Sequence, residues 1–293
     1  MRQLTDLPAM MTAVVALAAA AGVARISAVL AREPRGRWHD SSLAYWLGGV
    51  GGLVAALYCY FAALAWGDPA RIALVTYLWP VVFVVGANWL AGRGVRLRVL
   101  LGMAIAFAGV APLVAGDGGG AETPLPAYGL GLLSGGAWAF FSVYLRQAGT
   151  IPFRGYARLF GQAALLALGL YLLTGQAGGS PEPGDWLAAA LIGIGPYGIA
   201  FMTWGFALRQ GPTDLLGVMT YMVPVISAVL LVLTGYSEPE PMLLVATLAV
   251  VGGALLSTTR EQKEASAGEA AYPDADREAG AAEPALQEQE EAR

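Results

Sequence analysis

The apolar positions of this chain gather into long unbroken runs instead of alternating or forming one-sided stripes. Runs of about 17–25 mainly apolar residues, the length that crosses a bilayer core as a helix, occur at 9–31, 43–66, 71–90, 98–115, 127–147, 156–174, 186–208, 214–234 and 240–258. The pattern predicts an all-α integral membrane protein with nine transmembrane helices. Segments such as Ala13 to Ala24 show no alternation, so a membrane β-barrel, built from alternating strands of about 10 residues, does not fit. The run after Met1 is too long for the apolar part of a secretory signal, so the first span is kept.

Composition supports the same class. Of 293 residues, 57% are apolar and 13% charged, and the mean hydropathy is +0.58. No soluble catalytic domain fits between the spans, and no enzyme activity is expected. A single cysteine, Cys59, and a single histidine, His39, exclude an internal disulfide and give no set of metal ligands. No cofactor, metal or nucleic-acid partner is expected. The last segment, 260–293, carries ten Asp or Glu residues and almost nothing apolar beyond alanine. It reads as a disordered, solvated acidic tail.

Lys and Arg set orientation. Arg32, Arg35, Arg37, Arg93, Arg96, Arg98, Arg146, Arg154, Arg158 and Arg209 fall on one side, as do Arg260 and Lys263. Only Arg2 and Arg71 fall on the other. The arginine-rich gaps and the carboxyl tail are therefore expected in the cytoplasm, with Met1 outside.

Sliding the chain on itself reveals a repeat at an offset of 144 residues. Over 42–82, 13 of 41 positions are identical to the residue 144 further on, among them Leu64/Leu208, Gly67/Gly211, Thr76/Thr220, Tyr77/Tyr221 and Pro80/Pro224. The register persists to Gly109/Gly253. The expected organisation is a first repeat at 1–116 with four helices, a periplasmic linker at 117–126 and a second repeat at 127–259 with five helices. The offset puts the partner of the 127–148 span upstream of residue 4, so the first repeat is expected to be one helix short. An odd number of spans per repeat makes the two halves cross the membrane in opposite senses, an inverted repeat.

Both repeats contain Thr-Tyr-x-x-Pro-Val inside an apolar span: Thr76, Tyr77, Pro80, Val81 and Thr220, Tyr221, Pro224, Val225. Proline has no backbone N–H, so the carbonyl four residues earlier loses its helical partner where lipid offers none. Interruptions at matching positions of two halves point to a midplane solute site. Gly51, Gly195 and Pro196 are candidate hinge points beside glycine clusters that also suit close helix packing. Trp38, Trp46, Trp66, Trp89 and Trp186 lie near span ends, as an interfacial belt does. Tyr58, Tyr60, Tyr77, Trp79, Trp138, Tyr144, Tyr197, Trp204 and Tyr221 lie nearer span centres. As a set they suit a flat, partly apolar solute. No Asp, Glu or Lys lies centrally in a span, and Arg25 and Arg158 are placed to snorkel. That favours a facilitator over a proton-coupled pump.

The stretch 73–110, with TYLWP, and its counterpart GVMTYMVPVISAVL at 217–230 resemble the EamA-like drug/metabolite transporter superfamily. Within it, TYLWP is similar to the signature of YddG-type aromatic amino acid exporters; the second motif reads TYMVP instead. The resemblance implies a ten-helix inner-membrane protein, two inverted five-helix repeats around a central cavity, and export of aromatic amino acids or related metabolites without ATP. Tyr77, Trp79, Pro80, Tyr221 and Pro224 would lie near that cavity. The wider set of expected solute contacts adds Thr76, Thr220, Trp138, Tyr58, Tyr197 and Trp204. Partners are a small-molecule solute and the lipid bilayer, with monomer and dimer both open. The alternatives are a different solute, such as another amino acid, a nucleoside or a drug, and a truncated membrane protein that transports nothing.

Overall fold

The structure is a computed structural model that describes residues 6–34, 40–115, 123–174, 180–233 and 241–258. The acidic tail and most of the linker lie outside the described residues, as do Arg2, Trp38 and His39. All regular structure among the described residues is helical. The elements are α1 Ala9–Leu30, a π-helical segment Tyr45–Gly51 running into α2 Gly52–Trp66, α3 Pro69–Thr76, α4 Trp79–Leu90, α5 Leu97–Ala115, α6 Leu125–Gln147 and α7 Phe153–Thr174. Then follow α8 Pro183–Ile192, a second π-helical segment Gly193–Ile199, α9 Ala200–Gln210, α10 Thr213–Met219, α11 Met222–Leu233 and α12 Pro241–Thr258. Six of the continuous stretches are long and apolar enough to cross a membrane, and Leu97–Pro112, Thr213–Ile226 and Leu244–Leu256 are shorter apolar helices. Over its described residues every expected span is thus helical, apart from the short breaks at 77–78 and 220–221.

Helix starts follow local chemistry. Pro69 opens α3 with its missing N–H at a position that needs none, and the Asp68 carboxylate accepts from Arg71 N at 3.0 Å. Pro183 opens α8, where Glu182 and Asp185 form a reciprocal capping box. The first turn of α7 is capped from the segment that follows α1: the Glu33 carboxylate accepts from Phe153 N at 2.8 Å and Arg154 N at 3.0 Å. Prolines also set the breaks. Helix α3 ends at Thr76 and α4 restarts at Trp79, while α10 ends at Met219 and α11 restarts at Met222. The two breaks precede Pro80 and Pro224, as a residue ahead of proline disfavours the helical region.

Small residues let the helices approach. Ala13, Ala16, Leu17, Ala20, Ala24 and Ala28 form a buried stripe of α1 at three- and four-residue spacing, packed along α7, whose Leu159, Phe160, Ala163 and Ala167 are buried. Helix α1 also crosses the second π segment, where Gly193 touches the backbone of Ala16, so a side chain there would push the two apart. Helix α2 packs on α6, joined by Ser134 Oγ donating to Ala56 O at 2.8 Å, and α5 packs along α12. The outer surface is apolar instead of polar: Leu125 is 83% exposed and Leu173 is 84% exposed. In water such a surface is a liability, whereas in lipid it is the required solvent contact.

The arginine-rich end is tied by polar contacts. Arg146 donates to the carbonyls of Leu208 and Gly211, closing the carboxyl end of α9 with a cation. Asn88 Nδ2 donates to Asp214 Oδ1 at 2.8 Å, linking α4 to α10. Tyr144 OH donates to Asp40 Oδ2 at 3.1 Å. Burial raises the Asp40 carboxyl, but bonds from Ser42 and Tyr144 and the Arg158 charge outweigh it and hold the group below its ordinary range. Of the two cations expected to snorkel, Arg25 is exposed, and the Arg158 guanidinium lies 5.9 Å from the Tyr45 ring centre.

Candidate functional site

Between the two broken spans lies a cavity of about 380 Å³, within the range of small-molecule sites. Its floor and walls come from Tyr60 of α2, Ala73 and Thr76 of α3, Tyr77 of the first break and Trp79 at the start of α4, Trp138 and Ser142 of α6, Tyr197, Ala200, Phe201 and Trp204 of the second π segment and α9, and Thr220 of the second break with Val223 in the first turn of α11. None of these side chains carries a formal charge.

The rings lock one another at their edges. Trp79 meets Trp204 edge-on at 5.8 Å, and Trp204 also meets Phe83 at 6.1 Å. Trp138 contacts Phe201 at 4.8 Å, and Tyr197 contacts Phe201 at 5.2 Å. Such edge-to-face pairs stabilise by about 0.5–1.5 kcal/mol beyond area burial, which makes the wall rigid before any solute arrives. Trp204 has its indole N–H donated to Ser142 Oγ at 3.1 Å, and Ser142 is buried. Thr76 Oγ1 donates to Gly131 O at 3.3 Å, so α6 holds the end of α3. In this helix–helix seam Gly135 leaves room for the Thr76 carbonyl, the one that Pro80 leaves without its usual donor. The chemistry on offer is therefore a set of π faces, which accept flat apolar groups and cations alike, with Tyr and Thr hydroxyls for orientation.

Of the residues expected from the sequence, Thr76, Tyr77, Trp79, Trp138, Tyr197, Trp204 and Thr220 come together around this cavity. Tyr221 and Tyr58 do not line it. Tyr221 is fully buried, edge-on to Phe107 of α5 at 6.0 Å, and its hydroxyl has no hydrogen-bond partner among the described residues. Tyr58 is half-buried and packs on the core cluster. Pro80 is buried in the first turn of α4, and Pro224 sits in the first turn of α11. Gly51 closes the first π segment, and Gly195 and Pro196 lie in the second. Tyr60 was expected only as one of the central aromatics that suit a flat solute as a set, not among the named solute contacts, and Ser142 and Phe201 were missed. The repeat held a usable signal for one of them: Tyr60 is the offset mate of Trp204.

Lining positions recur in register. Tyr60/Trp204, Thr76/Thr220 and Trp79/Val223 are mates at the offset of 144, and all six line the cavity. The cavity therefore sits where the two repeats face each other.

The family model of the EamA-like transporter family matches the chain twice, at residues 2–115 and 125–259. The aromatic amino acid exporter YddG of Ancylobacter novellus is 35% identical over 248 residues, covering 83% of each chain. An uncharacterised protein of Pseudomonas aeruginosa is 31% identical over 211 residues, 69% of this chain and 70% of its own. A solved crystal structure superposes with a TM-score of 0.73 at 32% identity, covering 86% of this chain and 89% of that one.

Proposed function

This chain belongs to the EamA-like transporter family, and from that premise we propose that it exports aromatic amino acids or related flat metabolites across the bacterial inner membrane by alternating access, as a facilitator with its carboxyl tail in the cytoplasm. The observation that carries the reading is the uncharged, aromatic-walled cavity between matched helix breaks. A planar ring finds π edges and faces on several sides, and the ammonium of a zwitterion finds indole and phenol faces instead of a carboxylate. The carboxylate of the same solute finds the hydroxyls of Tyr60 and Tyr77, while the Thr76 and Thr220 hydroxyls, which donate to Gly131 O and Gly217 O, accept from the ammonium. The relative named as an aromatic amino acid exporter supports the solute class. Since the described lining residues include no carboxyl, imidazole or amino side chain, the wall they form offers no proton carrier of its own.

The test is uptake of labelled tryptophan, phenylalanine and an aliphatic amino acid into liposomes holding the purified protein, with and without a pH gradient. The expected outcome is saturable flux of the aromatic solutes, several-fold above the aliphatic one and independent of the gradient. Equal flux of all three sinks the aromatic assignment, and flux only with a gradient sinks the facilitator.

A further inference from the structure

We infer that Tyr221 is the solute-facing counterpart of Tyr77 in the opposite-facing state of the transporter, and that its buried, partnerless hydroxyl marks a site that this conformation keeps closed. The inference rests on the alternating-access reading above and adds a residue and a geometry to it.

Matched residues of the two repeats are placed differently. Ala73 and Tyr77 lie one turn apart on one face of the first broken span, and both line the cavity. Their mates at the offset of 144, Gly217 and Tyr221, lie one turn apart on the same face of the second broken span and are not among the residues that line this cavity. That face is pressed onto α4 and α5. A methyl group at Gly217 would run into the Val84 side chain and lie 3.4 Å from Met103 Cε, and the Tyr221 ring sits against Phe107. Met103 and Phe107 are themselves one turn apart on α5. Helices α10 and α11 lie against both α12 and α5, whereas α3 rests on α5 and neither α3 nor α4 makes more than marginal contact with α12.

A phenylalanine would fill the same space without burying a hydroxyl that has no partner, and burying one is unfavourable. The hydroxyl has a use when the two repeats exchange conformations. The face Ala73/Tyr77 then closes onto α12 at Thr247 and Val251, the mates of Met103 and Phe107. The face Gly217/Tyr221 leaves α5 and presents its hydroxyl to the solute from the other end of the cavity. Exchange of conformation between inverted repeats needs no new fold, because each half already has a worked example of the other's arrangement.

Two measurements test this, both with the full chain in liposomes. Tyr221→Phe removes the orphan hydroxyl, so it favours the state described here: thermal stability rises while turnover falls by about tenfold. Unchanged turnover overturns the inference. In a Cys59→Ser background, the pair Tyr221→Cys with Phe107→Cys and the pair Tyr77→Cys with Val251→Cys are each oxidised. Both are expected to cross-link, each arresting flux until reductant is added. If Tyr77→Cys and Val251→Cys never cross-link while the Cys59→Ser protein moves solute, the repeat exchange is wrong and the proposed function stands. If both pairs cross-link but no solute moves in the parent protein, the exchange stands and the transport reading fails.

Discussion

At the scale of single residues, the cavity depends on side chains that hold other side chains. The Ser142 hydroxyl takes the Trp204 indole N–H and fixes the ring that Trp79 and Phe83 lean on. Ser142→Ala leaves that N–H buried without a partner and frees the ring to rotate. A net loss of about 1 kcal/mol for such a bond corresponds to a rise of roughly fivefold in KM for an aromatic solute. Turnover should move much less, since the solute and its transition between states lose the same contact. Flux assays over a concentration series check it, and an unchanged KM removes Ser142 from the wall's support. Most of the wall was legible from the sequence because large aromatics at span centres are few and costly to misplace. Ser142 was not, since a lone serine in a membrane helix reads as a backbone-bonded residue of no consequence until a neighbouring helix is shown to supply its partner.

At the scale of elements, the prolines create what the site is built from. A helix that ran unbroken from Pro69 to Leu90 would satisfy every carbonyl internally and leave no break beside the solute. Pro80→Ala and Pro224→Ala restore an N–H four residues after Thr76 and Thr220 respectively. Each variant is therefore expected to lose most of its transport with little change in thermal stability, because each proline sits in a first turn where its missing N–H costs little. A variant that unfolds earlier, or that transports normally, contradicts this account. The breaks were readable in advance because proline acts through local backbone chemistry. The two π-helical segments were not: glycine clusters at 48–52 and 193–198 announce close packing or a hinge equally well. Wide turns arise where a glycine-rich stretch must also pass a crossing helix, as Gly193 passes Ala16, and that crossing is a tertiary fact.

At the scale of the whole molecule, the sequence reads as two near-equal halves because its repeat is a symmetric signal. The structure is one asymmetric arrangement of them. Nothing in the matched pairs Tyr77/Tyr221 and Ala73/Gly217 says which copy faces the cavity, since that depends on which state the chain occupies. The contacts that stay common to both states should be those in which a helix pairs with its own mate across the axis, and α1 with α7 and α5 with α12 are such pairs. The α5–α12 seam is held open for close approach by a matched pair of glycines. A methyl at Gly109 would collide with Ala249, and one at Gly253 would collide with the backbone of Gly102. Gly109→Leu therefore has to spread the seam, and overpacking of this kind costs about 1–3 kcal/mol. The cost falls on both states equally, so thermal stability in detergent should drop while the ratio of the two cross-links described above stays the same. Gly129→Ala, where a methyl meets nothing within 4 Å, is the control and should be neutral or slightly stabilising. A Gly109→Leu protein of undiminished stability would show that the seam tolerates separation. A shifted cross-link ratio would show instead that the seam itself moves during transport.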